Sequence, residues 1–178
     1  MEFWDRETVN YFLERSEQEF PCREFAMFRT LLYTGIRKGE LGALLETDLC
    51  EEKKELHITK NLIRIDGVHR LLRPKTKNSI RAISLDEETF EVLIKLKKLN
   101  QLLHEEHGNP KVEKFLFPRP SDLKPMRLAY LNDRLYYACK NFKVNNIKLH
   151  GLRHTHINAF YFWCENERYT NKIRTSTG

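Results

Sequence analysis

Apolar side chains recur three and four residues apart along the first third of the chain. Val9, Phe12 and Leu13 follow Asp5, a good N-cap, and predict a first helix. Pro21 opens a second helix, in which Phe25, Phe28, Leu31 and Leu32 share a face and Gly35 stands where a C-terminal cap belongs. Lys38 to Leu45 reads as a third, short helix. The period then drops towards two. Glu55 to Ile58, Asn61 to Ile65 and Ile80 to Leu85 are short and β-rich, separated by turn-forming or charged residues, and predict a small antiparallel sheet. Ser84 and Glu87 have capping-box spacing, so a long helix should start near Asp86. Phe90, Leu93, Ile94, Leu96, Leu99, Leu102 and Leu103 give it an apolar face, and His107-Gly108-Asn109-Pro110 ends it. Phe115 to Pro118 is a brief apolar segment leading into a loop. Leu128, Leu131, Leu135, Ala138 and Phe142 mark another amphipathic helix, and a last one should begin near Leu149. Helices, a small sheet and helices again make a mainly helical α+β fold.

Composition narrows the class. With 178 residues, 40% hydrophobic and 11% aromatic, the chain is globular and has enough apolar residues for one real core. Lys and Arg outnumber Asp and Glu by 31 to 25, a net charge of +6 that favours a polyanionic partner. Cys22, Cys50, Cys139 and Cys164 are far apart and show no metal-knuckle spacing, so free thiols in a reducing compartment are expected. No apolar run is long enough to cross a bilayer, and the acidic, aromatic N-terminus is unlike a signal region. A cytoplasmic location without membrane contact is the expectation.

The positive charge is concentrated. His69 to Arg81 holds five cations and no acid, centred on Pro74-Lys75-Thr76-Lys77-Asn78, and reads as a basic hairpin packed on the helices. Neutralising backbone phosphates drives most non-specific DNA affinity. Arg70, Arg73, Lys77 and Arg81 are therefore candidate DNA contacts, against the plainer reading of a solvated, charged turn.

Two local strings flank this run: Tyr33-Thr34-Gly35-Ile36-Arg37-Lys38-Gly39-Glu40-Leu41 and His150-Gly151-Leu152-Arg153-His154-Thr155. Their order, with a basic lysine segment between, resembles the catalytic domain of the tyrosine recombinases, the phage integrase family of mobile elements, over roughly residues 1 to 157. The resemblance implies integration or recombination of DNA through a covalent 3′-phosphotyrosyl intermediate. It also implies that Arg37 and Arg153 clamp the scissile phosphate and that His150 assists. A hairpin lysine would protonate the leaving oxygen; Lys75 fits the family register, with Lys77 the alternative. The chemistry agrees, because planar guanidinium forks stabilise charge spread over phosphate oxygens. Glu40 reads as a structural partner that holds an arginine in place. His150, His154 and His156 show no zinc-protease pattern, and no metal or other cofactor is expected.

The pattern breaks after the second box. A Leu-Gly-His-like turn and a helix bearing the nucleophilic tyrosine should follow, but the chain runs on through Phe160, Tyr161, Phe162 and Trp163 to Tyr169 and Gly178. Neither Tyr161 nor Tyr169 stands in a supporting motif. The expectation is one catalytic domain over residues 1–178, incomplete at its C-terminal end and without a preceding DNA-clamping domain. Such a chain would be inactive on its own. The alternative is a non-catalytic DNA-binding remnant that competes for recombination sites. Duplex DNA, and other recombinase protomers, are the implied partners.

Overall fold

The computed structural model describes residues 3–73 and 79–158. Helix α1 (Arg6–Glu19) starts at Asp5, whose carboxylate accepts the Thr8 N–H at 2.8 Å. Helix α2 (Cys22–Thr34) follows Pro21 and stops at Gly35, which has φ +60° and donates its N–H to the Leu31 carbonyl. A short helix α3 (Lys38–Ala43) comes next. A 3-10 turn (Glu46–Asp48) then leads into strands β1 (Leu49–Cys50), β2 (Glu55–Ile58), β3 (Asn61–Ile65), β4 (Val68–Leu72) and β5 (Arg81–Ser84). Helices α4 (Glu87–Glu106) and α5 (Leu128–Phe142) complete the frame, and residues 149–158 are helical. The fold is mainly helical α+β, as the pattern predicts.

Three details differ from the sequence reading. The cap of α4 is Asp86, not Ser84: its carboxylate accepts the Thr89 N–H at 3.0 Å and also pairs with Arg29 of α2. Val68–Leu72 is a strand that the pattern does not yield, because its residues merge with the basic run. And there is not one sheet but two. One has the order β1-β2-β5; the other is the β3-β4 pair.

The second difference explains the third. Asp66 (φ +48°) and Gly67 (φ +81°) form a two-residue turn with both residues in the left-handed region, the geometry whose twist suits a tight hairpin. Ile65 therefore faces Val68 in register, and β4 folds straight back on β3. β5 pairs with β2 instead, Ile58 opposite Arg81. The basic segment is thus a connection between two sheets rather than the tip of a hairpin. Its centre, with Lys75 and Lys77, lies outside the described residues.

The core is an aromatic cluster that joins both ends of the described chain. The Phe12 ring lies 4.7 Å from Trp4, 5.4 Å from Phe28 and 5.6 Å from Phe142, centroid to centroid. Trp4 donates its backbone N–H to Thr155 Oγ1 (3.0 Å) and its indole N–H to the Asn145 carbonyl (2.8 Å). A buried aromatic with its polar edge satisfied in this way anchors both segments. Cys22, Cys50 and Cys139 are free thiols. Among the described residues, no helix is long and apolar enough to cross a membrane.

Candidate active site

The two arginine boxes meet at Gly35. After α2 ends there, the chain passes through Ile36 to Arg37, whose backbone is extended and which becomes the N-cap of α3. Arg153, on the last helical segment, donates from Nη1 to the Gly35 carbonyl. One turn earlier in α2, the Leu32 carbonyl lies 2.9 Å from His156 Nδ1. Only glycine permits this approach. A Cβ on Gly35 would lie 2.5 Å from His156 Cδ2, and the backbone there is left-handed.

This docking opens a cleft of about 650 Å³. Arg37, Lys38, Lys148, His150 and Arg153 supply its polar wall, and no carboxylate lines it among the described residues. Asn132 and Tyr136, one turn apart on α5, stand on the other side, over an apolar floor of Ile36, Ile147 and Leu149. The cleft therefore brings together three of the four residues expected from the resemblance as catalytic. The fourth, Lys75, lies outside the described residues. His150 is exposed and stacks edge-on against His154, with ring centroids 4.6 Å apart. The guanidinium of Arg153 loses some affinity for its proton, first through burial and then through the charge of Arg37, but it stays charged at any ordinary pH.

One carboxylate organises the arginines. Glu40, in the first turn of α3, is 5% exposed. Its Oε2 accepts the Arg37 backbone N–H at 2.8 Å and Arg81 Nη2 at 2.9 Å. Its Oε1 accepts Arg37 Nη1 and Arg81 Nη1, each at 3.2 Å. Burial works against the charged carboxyl, but the Arg81 hydrogen bonds, the Arg37 N–H and the two positive charges outweigh it. Glu40 is held below the ordinary carboxylate range. The expected partner role of Glu40 is therefore present.

The candidate DNA contacts separate in space. Arg70 on β4 and Arg73 just after it are exposed. Arg81 is turned inward on Glu40, with 30% of its side chain exposed. Lys77, like Lys75, lies outside the described residues. The sequence reading missed Lys38, Lys148, Asn132 and Tyr136. Lys38 stands inside the first box and Lys148 just before the second, so both could have been suspected; nothing local marks Asn132 or Tyr136. It also missed that Arg64, Arg119 and Arg127 lie close enough to His69 for their charges, after burial, to push its pKa down. Arg64, Arg119 and Arg127 thus place positive charge around His69 on the β3-β4 pair.

The pattern of the Phage integrase family matches residues 2–161, nearly the whole described chain. The chain belongs to the phage integrase family. Its members are the tyrosine recombinases, and the match covers their catalytic domain. The ICEBs1 integrase of Bacillus subtilis (strain 168) is 30% identical over 159 residues, 88% of this chain and 42% of that protein. Among solved structures, the Tn1549 transposon integrase in complex with transposon right end DNA superposes with a TM-score of 0.75. It is 21% identical, and the match covers 87% of this chain and 51% of that one. The XerA recombinase superposes at 0.69 with 16% identity, over 89% and 49% of the two chains. This phage integrase chain thus spans about half, or less, of the length of these relatives, and the structural likenesses speak for the fold.

Proposed function

We propose that the cleft grips the scissile phosphate of duplex DNA for site-specific strand exchange. The observation that carries this is the convergence of Arg37, His150 and Arg153 on one concave surface, with no carboxylate among the described residues that line it. A phosphate under attack spreads charge over its non-bridging oxygens, and two guanidinium forks plus an imidazole answer that charge from preset positions. Arg37 and Arg153 hold the oxygens, His150 hydrogen-bonds to the phosphate or passes a proton, and Lys75 protonates the departing 5′ oxygen, with Lys77 the alternative. In the complete reaction a tyrosine hydroxyl forms a bond to phosphorus as the bond to the 5′ oxygen breaks, which leaves a 3′-phosphotyrosyl link. The guanidiniums provide the positive charge that metal ions provide in other phosphoryl transfers. Arg70, Arg73 and Lys77 contact neighbouring phosphates.

The same reading holds that these residues, as one catalytic unit, bind DNA without cutting it. Neither Tyr161 nor Tyr169 stands in the motif expected around the nucleophile, and Tyr136, which lines the cleft, belongs to α5 rather than to a segment following the second box. On its own the chain occupies recombination sites and competes with a cleaving integrase. Further protomers are the natural partners on DNA.

The test is incubation with a nicked duplex that traps covalent intermediates, read by native electrophoresis across a salt series and by denaturing electrophoresis. Salt-sensitive retardation with no covalent adduct is expected. Absence of binding at low salt sinks the DNA reading. An adduct abolished by Tyr136→Phe, Tyr161→Phe or Tyr169→Phe sinks the non-cleaving part.

A further inference from the structure

Resting on the phosphate-clamp reading of the cleft, we infer that Arg81 is a positioning residue that keeps Arg37 free for phosphate by occupying Glu40. Its role changes from a DNA contact to the counterweight of a shared carboxylate.

Glu40 can accept only a limited number of hydrogen bonds. A carboxylate has about four lone-pair sites. All four are filled: one by the Arg37 backbone N–H, one by Arg37 Nη1 and two by the fork of Arg81. Arg81 therefore holds Glu40 through two bonds and Arg37 through only one side-chain bond. The exposure follows the same division. The Arg37 side chain is 58% exposed and the Arg81 side chain 30%. Arg81 is further fixed by Nη1 to the Ser79 carbonyl at 3.3 Å. It sits on β5, at the foot of the connection that carries Lys75.

Without Arg81, two acceptor sites of a nearly buried carboxylate fall vacant. An unsatisfied buried charge is costly, and the guanidinium already touching it is Arg37. Arg37 then closes on Glu40 as a bidentate pair and turns its donors away from the cleft. Arg81 thus spares Arg37 from being captured by its own neighbour. Glu40 can be close enough to anchor the start of α3 without neutralising the clamp.

Substitutions at Arg81 and Glu40 should therefore behave as a defect and its suppressor. Arg81→Gln should weaken binding of a short duplex by about tenfold to a hundredfold, the worth of one charge-assisted phosphate contact. Adding Glu40→Gln removes the charge that captures Arg37, while its amide oxygen still accepts the Arg37 N–H, so affinity should return to within about threefold of the unaltered chain. In an Arg37→Ala background, Arg81→Gln should have no further effect. A role in mere folding, or direct contact of Arg81 with phosphate, gives no rescue by Glu40→Gln. Wild-type affinity in Arg81→Gln, or a double variant no better than Arg81→Gln, overturns the inference. If Arg81→Gln does not fold, Arg81→Lys serves: it cannot fork the carboxylate, so it should weaken binding only where Arg37 is present, and equal losses with and without Arg37 overturn the inference.

Thermal melts separate this from the DNA reading. If the unaltered chain binds no duplex, the phosphate-clamp reading fails. The capture of Arg37 is then read from stability: Arg37→Ala should lower Tm by about 2–4 °C more in the Arg81→Gln chain than in the unaltered one. An equal drop in both refutes it.

Discussion

Replacing Gly39 by alanine tests whether the first box is locked onto the β3-β4 pair. Gly39 lies in the first turn of α3, between Arg37 and Glu40. A Cβ there would fall 2.3 Å from Asn61 Oδ1 and 2.7 Å from the Leu62 carbonyl oxygen. The Asn61 side chain can swing aside. The Leu62 carbonyl cannot move alone, because Leu62 is paired with Leu71 in the β3-β4 ladder. A carbon-to-oxygen contact settles at about 3.3 Å or more, so helix and strand must separate by about 0.6 Å. Two effects oppose each other. Alanine improves on glycine in a helix by up to about 1 kcal/mol. Overpacking costs about 1–3 kcal/mol and more when backbone must yield. The clash wins, and a net loss of about 1–2 kcal/mol should lower Tm by about 2–8 °C. Gly42→Ala is the matched control. Its Cβ would press on the methyl ends of Leu62 and Leu128, at 3.0 and 3.1 Å, and touch Leu62 Cβ at an ordinary 3.7 Å, so its loss should be smaller. The assay is a circular-dichroism melt with hydrogen exchange over Asn61 to Leu72, which should quicken in Gly39→Ala alone. A Tm that holds or rises in Gly39→Ala would show that the packing of α3 on β3 does not have this geometry.

Further outcomes are expected. Arg37→Ala and Arg153→Ala should each weaken duplex binding and reduce the slope of log affinity against log salt by about 0.9 for each phosphate no longer neutralised, as measured by fluorescence anisotropy. An unchanged slope in both excludes phosphate contact. Glu40 is held below its ordinary pKa, so its contribution to stability is present above the unfolded value and is lost as pH falls through the folded one. Melts in the acid range should fall more steeply for the unaltered chain than for Glu40→Gln, and parallel curves would contradict the pairing. Tyr130 is pushed up to about 12, first by burial and then by its hydrogen bond to the Glu24 carboxylate and that group's charge. Its stabilisation is complete below the usual tyrosine value of about 10 and is lost as pH rises towards 12. Absorbance titration should show one late-ionising phenol, removed by Tyr130→Phe.

What the sequence made legible was local. The boxes, the Asp5 cap, the Gly35 stop and the strands Glu55–Ile58 and Asn61–Ile65 rest on signals within a few residues, and each is where it was expected. Relations between distant segments were hidden. Asp66-Gly67 is a good hairpin signal, yet the alternation that follows it is masked by the histidine and arginine of the basic run. β4 therefore disappears into that run. That Arg81 belongs to Glu40 depends on a pairing across 41 residues and two elements, which no periodicity reveals. Tyr136 and Asn132 read as ordinary exposed positions on an amphipathic helix, and only the docking of the last helical segment turns them towards the arginines.

That docking has a consequence for the order in which the protein is made. Arg153 reaches back 118 residues to Gly35, and Trp4 reaches forward 151 residues to Thr155. Contacts so distant in the chain form late, because the intervening segment must be closed into a loop before they reward it. During synthesis α1, α2 and α3 leave the ribosome long before their later partners: Trp4 lacks Asn145 and Thr155, Phe12 lacks Phe142, and the first arginine faces no second one. An N-terminal fragment that folds early therefore lacks the part of the cleft wall that His150 and Arg153 supply. The cleft is completed only when the final helical segment seats, which makes its assembly a late step of folding.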